Sequence, residues 1–305
     1  MSLNAFVNRL HDWVRGQGGE VRQLTYPRPG ANATAGAGIG RAVYMAPAGK
    51  PRGLVVILHA TGNDLYFPFL QLFRLLISRG YSVFSLDLDG HGLGSTHVLS
   101  RAHLDSMLPE ALVQARRCSA VGPLYLFGQS LGALLCLRFL AQMPATEAPV
   151  AGAVLLSTPV SGRISARPML GELHAAVSPT FWRAAADYGY WGLLPAIGPF
   201  KRQQYPLRFA PGEGGLAVAA YAGFVDDLVQ ASQPLLPAAT QRVPCLMLYG
   251  SLDAVTPPQQ AATLVAQLEP SSACVVVAGE THFTLVLSSK CLERVLVWIE
   301  QQGRL

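Results

Sequence analysis

The apolar positions of this chain change rhythm several times. Leu3, Phe6, Val7, Leu10, Trp13 and Val14 recur at helical spacing, with Arg9, Asp12 and Arg15 between them, which predicts an amphipathic helix over about residues 3–15. Only two or three cations line its polar side, so docking on the protein's own body is favoured over lying on a membrane. Val21 to Tyr26 alternates as an exposed strand does, the Gly- and Ala-rich run from Ala31 to Gly40 reads as a turn or loop, and Arg41 to Met45 resumes strand. This predicts an antiparallel opening to a sheet.

From Gly53 the alternation gives way to short runs without charge, spaced by helical stretches. Strand Leu54 to Leu58, helix Phe67 to Arg79, strand Tyr81 to Leu86, helix Leu104 to Arg117, strand Leu124 to Phe127, helix Leu131 to Leu140 and strand Ala151 to Leu156 follow one another. Strands that are apolar on both sides and separated by helices imply right-handed crossovers and a mostly parallel sheet covered on both faces. The regular pattern stops from Ser157 to Arg242, where Pro195, Pro199 and Pro206 interrupt a stretch holding Phe181, Trp182, Tyr188, Tyr190, Trp191, Phe200 and Tyr205, with a helix at about 216–230 behind it. It resumes with strand Pro244 to Tyr249, helix Pro257 to Leu268 behind Thr256 as its cap, strand Cys274 to Val277 and helix Cys291 to Gln301. The expected organisation is an α/β core over residues 1–157 and 243–305, with residues 158–242 as a helical lid over its active edge.

Composition narrows the classes. The 305 residues are half apolar and only 13% charged, enough for a large core, and the shortage of charge reads as a larger buried fraction than usual, with apolar surface meeting a partner, a lipid or another subunit as the alternative. A formal charge of +5 with scattered lysines and arginines gives no basic stripe, and nucleic acid is not expected as a partner. Five separated cysteines without a CxxC pair read as small core residues in a reducing compartment. No apolar run reaches the length of a membrane span, and residues 1–19 lack the pattern of a secretory signal, so the expectation is a cytoplasmic protein.

Chemistry concentrates where an apolar strand becomes an apolar helix, at Gly128-Gln-Ser-Leu-Gly132. A reversal that tight strains the backbone at Ser130 and leaves no room for side chains at Gly128 and Gly132, pushing the hydroxyl to the tip of the turn. A serine hydroxyl needs a base to become a nucleophile. His282 lies after the last strand, and Asp253, after the preceding one, is placed to orient the ring; the order Ser, Asp, His is that of nucleophile-elbow enzymes. Asp226 and Asp227 are rivals for the acid, but their place in the inserted helix reads as a solvated face. Oxyanion donors are expected at the backbone N–H of Leu131 and of Thr61, the latter in the loop His59-Ala-Thr-Gly-Asn-Asp64. His59 itself is expected to be a buried ring anchoring that loop.

Gly128-Gln-Ser-Leu-Gly132, Asp253, His282, the His59 loop and Asp87-Leu-Asp-Gly-His-Gly92 together resemble the α/β-hydrolase superfamily, and the Gly90-His91-Gly92 element is similar to its branch of monoacylglycerol lipases and lysophospholipases. The resemblance runs from about Gly53 to Gln301 except the insertion. Two positions depart from that branch: Ala60 stands where it has glycine, and Gly94 adds a residue before Ser95. The resemblance implies loop-shaping roles for Asp87, Asp89 and His91, and no metal or organic cofactor. The expected activity is hydrolysis of carboxylic esters with a hydrophobic acyl group, several lid aromatics (Phe181, Trp182, Tyr188 and Trp191) lining the substrate site. A thioesterase or acyltransferase would share the acyl-enzyme, and a ligand-binding protein or a scaffold on the same fold are the remaining alternatives. Oligomeric state is open.

Overall fold

The computed structural model describes residues 3–28, 38–61, 63–89, 91, 101–120, 122–143, 150–161, 178–188 and 218–303. The leading helix α1 (Leu3–Gly16) is followed by β1 (Glu20–Arg28) and β2 (Gly38–Ala46). Next come β3 (Leu54–Leu58), α2 (Leu70–Ser78), β4 (Ser82–Leu86), α3 (Arg101–Cys118), β5 (Leu124–Gln129), α4 (Leu131–Gln142) and β6 (Gly152–Leu156). Helices α5 (Pro179–Tyr188), α6 (Val218–Ser232) and α7 (Leu236–Thr240) precede β7 (Cys245–Gly250), and α8 (Ala262–Val265), β8 (Ala273–Val277) and α9 (Ser289–Gln302) complete the described elements. The strands form one sheet in the order β1-β2-β4-β3-β5-β6-β7-β8, antiparallel at β1–β2 and β2–β4 and parallel elsewhere.

Every residue of β3, β4, β5, β6 and β7 is buried, the physical reason for their charge-free runs. Alternate residues of a strand serve opposite faces. Leu54, Val56 and Leu58 join a core with α3 and α4, while Val55 and Ile57 join one with α1, α2 and α9. Val7, Leu10 and Val14 of α1 are buried in the second core, so this helix docks on the body as expected. Each such side chain contributes about 1.5–3 kcal/mol. Both edge strands depart from this, β8 with Val276 about half exposed and β1 with Arg22, Gln23 and Thr25 exposed.

Several boundaries differ from the sequence expectation. Strand β2 begins at Gly38 because Gly40 pairs with Tyr26, whose ring occupies the space a Cβ would need. The glycine that suggested a loop accommodates an aromatic neighbour across the ladder. Helix α2 starts at Leu70, not Phe67, because the Asp64 carboxylate accepts the N–H groups of Tyr66 and Phe67 and turns the chain there. The expected helix over 257–268 is a 3₁₀ turn, Pro258–Ala261, and the one-turn α8. Thr256 does not cap it, since both its N–H and its hydroxyl go to Asp253. Cys136, Cys245 and Cys291 are buried and Cys118 and Cys274 half-buried, all as free thiols. No described helix is long and apolar enough to cross a membrane.

Candidate active site

Ser130 sits between β5 and α4 with φ 51° and ψ −114°, a left-handed backbone that a residue with a Cβ adopts only under constraint. The constraint is visible on both sides. A Cβ on Gly128 would lie 2.5 Å from the backbone of Ala133, and one on Gly132 would lie 2.3 Å from the carbonyl oxygen of Leu58. Strand, helix and the end of β3 therefore meet at van der Waals limit around the serine. Its N–H donates to Leu156 O at 2.8 Å, tying the turn to β6.

The loops after β7 and β8 bring two further side chains to the same edge. Gly250 touches the carbonyl of Glu280, where a Cβ would stand 2.2 Å away, and Leu252 N–H donates to that carbonyl at 2.9 Å. These contacts lock the two loops together. His282 Nε2 lies 3.0 Å from Ser130 Oγ, and its Nδ1 lies 3.2 and 3.1 Å from Asp253 Oδ1 and Oδ2. All three side chains are buried. Burial raises the Asp253 carboxyl, but the imidazole of His282 and the amide of Thr256 outweigh it, and the group is held below the usual carboxylate range. A ring with an anion at one nitrogen and a hydroxyl at the other can take the hydroxyl proton and hold it as a cation.

The loop after β3 closes the opposite side. His59 is fully buried; its Nε2 accepts Leu88 N–H at 2.9 Å and its Nδ1–H donates to Ala60 O at 2.7 Å. Burial, then the neighbouring His91, lower its pKa to about 3, and burial lowers that of His91 to about 4. The expected anchor role of His59 matches this geometry. Asp87 accepts Leu65 N–H at 2.8 Å and His91 Nδ1–H donates to Asp89 O at 3.0 Å. Gly92 and Gly94 to Ser95 lie outside the described residues. Leu131 is the first residue of α4, whose N–H has no partner within the helix, and Thr61 is exposed beyond Ala60. The contact between Gly132 and the end of β3 sets these two segments side by side.

Of the residues expected to line a substrate site, Phe181 is buried in the second core, Trp182 is 41% exposed with its ring edge-on to Phe181 at 5.3 Å, and Tyr188 ends α5. Trp191 lies outside the described residues. Thr180 Oγ1 donates to Glu280 Oε1 at 3.0 Å, so α5 is tied to the loop carrying His282. The carboxylate at His282 Nδ1 is that of Asp253; Asp226 and Asp227, the rivals for that place, lie in α6. They do not form a solvated pair, since Asp226 is buried and only Asp227 is exposed. Sequence reasoning missed Thr256 as part of the site; its place three residues after Asp253, typical of a side chain closing a turn onto the backbone, was the available signal.

The family model described as serine aminopeptidase, S33 matches residues 49–285. No curated protein matches this sequence. Among solved structures, a lipase in its open form aligns with TM-score 0.66 at 15% identity, over 93% of this chain and 99% of that one. A thermophilic esterase from Thermogutta terrifontis gives 0.62 at 16% identity, over 92% and 99%. A soluble variant of monoglyceride lipase from Saccharomyces cerevisiae gives 0.61 at 17% identity, over 93% and 94%. At these identities the likeness is one of fold, and it is the α/β-hydrolase architecture expected above.

Proposed function

The chain belongs to the serine aminopeptidase S33 family, and from that premise we propose that it is a serine hydrolase cleaving carboxylic esters with a hydrophobic acyl group. Ser130 Oγ attacks the acyl carbonyl while His282 Nε2 takes its proton, and Asp253 holds the ring tautomer and balances the cation. The tetrahedral oxyanion is received by the N–H groups of Leu131 and Thr61. His282 then protonates the leaving alcohol, and water activated by the same ring frees the acid and regenerates the serine. The observation that carries this reading is the unbroken path from Ser130 Oγ through the imidazole to the Asp253 carboxylate. The ester preference draws on the lipases and esterases that share the fold, since the family's own description names peptide substrates. The apolar acyl group draws on the aromatic content of residues 158–242, which we take as a lid.

Labelling with a fluorophosphonate tests the nucleophile. The parent chain is expected to label and to hydrolyse p-nitrophenyl octanoate, and Ser130→Ala to do neither. Equal turnover of acetyl and octanoyl esters would remove the hydrophobic acyl group from the proposal, and cleavage of aminoacyl anilides ahead of esters would replace it with a peptidase.

A further inference from the structure

We propose that Thr256 is a positioning residue of this site, its hydroxyl fixing both the Asp253 carboxylate and the Nδ1–H tautomer of His282. The inference rests on the serine-hydrolase reading. Thr256 is 2% exposed and its Oγ1 lies 2.8 Å from Asp253 Oδ2 and 3.2 Å from His282 Nδ1. Its hydroxyl hydrogen can go only to the carboxylate, which as an anion only accepts. The oxygen lone pairs are then left facing the ring nitrogen, and that nitrogen must carry a hydrogen to satisfy Thr256 and Asp253 together. Nε2 is thereby left with its lone pair toward Ser130 Oγ, the state in which it can act as base.

The two carboxylate oxygens are supported differently. Oδ1 accepts the backbone N–H groups of Val255 at 3.0 Å and Thr256 at 2.7 Å. Those donors survive any substitution other than proline. Oδ2 has the Thr256 hydroxyl as its short contact beside the shared His282 ring. Removing that hydroxyl leaves a buried anionic oxygen one donor short, while the amide donors on Oδ1, the His282 ring and Ser157 still hold the carboxylate in place.

Thr256→Val keeps the shape and deletes the hydroxyl. Its kcat on p-nitrophenyl octanoate should fall about tenfold to a hundredfold with KM within about twofold, because the lost contact matters when the imidazolium forms. The acid limb of its pH–rate profile should move to higher pH, since a carboxylate relieved of its 2.8 Å donor holds the ring proton more tightly; a packing role alone leaves that limb in place. Thr256→Ser, which restores the hydroxyl, should return kcat to within about threefold of the parent. A Thr256→Val chain with parental kcat and an unmoved acid limb overturns the proposal. If the valine chain does not fold, Thr256→Ala takes its place, and equal kcat for Thr256→Ala and Thr256→Ser overturns it. Every arm is run beside the parent and Ser130→Ala. A parent without esterase activity defeats the underlying reading, whereas an active parent with indifferent Thr256 variants defeats only this inference.

Discussion

Two buried histidines stand at the carboxyl edge of the same sheet and have opposite lives. His59, after β3, spends both ring nitrogens on backbone groups, the carbonyl of Ala60 and the N–H of Leu88. His282, after β8, spends one on the Asp253 carboxylate and turns the other to the Ser130 hydroxyl. Burial without an anion drives the His59 pKa to about 3, so the ring stays neutral and serves as a rigid strut between two loops. The lesson is that burial and edge position do not make a proton carrier. A carboxylate on one side and a movable proton on the other do.

The comparison is sharpened most by Asp253→Asn, which removes the anion and keeps the shape. The catalytic constant for ester hydrolysis should fall by about ten-thousandfold while the folded state persists, because the amide no longer dictates the ring tautomer. A fall of less than tenfold in steady-state assays would erase the distinction drawn between the two histidines. His59→Leu should act on stability first. It strands the N–H of Leu88 in the core, lowering stability by about 1–3 kcal/mol in denaturant titrations, with a smaller activity loss than Asp253→Asn.

A third effect is in acid. His59 and His91 are neutral when folded and take up a proton near pH 6.5 when unfolded, so the unfolded state binds more protons as pH falls. Stability from these groups is therefore fully present above about pH 6.5 and is lost progressively toward the folded values of about 3 and about 4. Denaturation midpoints measured from pH 7 to pH 4 should decline, and His59→Leu should decline less steeply. Parallel slopes for the two chains would show that His59 is not neutral and buried as described.

Much of this was legible along the chain because it depends on local chemistry. A strand buried on both faces must exclude charge, which is why β3 to β7 stand out as apolar runs. The turn at Ser130 must spare Cβ atoms at Gly128 and Gly132, which marks the place of the candidate serine without any knowledge of its partners. The helix expected over 257–268 and the last residues, Gly38 to Gly40, of the loop expected over Ala31 to Gly40 were misread for one reason. In both, a residue's local preference was overridden by a distant or side-chain partner: Tyr26 across the ladder from Gly40, and the Asp253 carboxylate for Thr256.

By itself, the sequence determined a doubly covered, mostly parallel sheet, the serine elbow and the candidates His282 and Asp253, since periodicity and turn chemistry are short-range properties. Only the tertiary structure decided that Asp226 is buried rather than on a solvated face, and that Thr256 belongs with the acid rather than with the helix behind it. Each of these depends on which donor meets which acceptor across residues far apart or turned back on themselves. That pairing is decided by how the strands and loops pack, and spacing along the chain does not carry it.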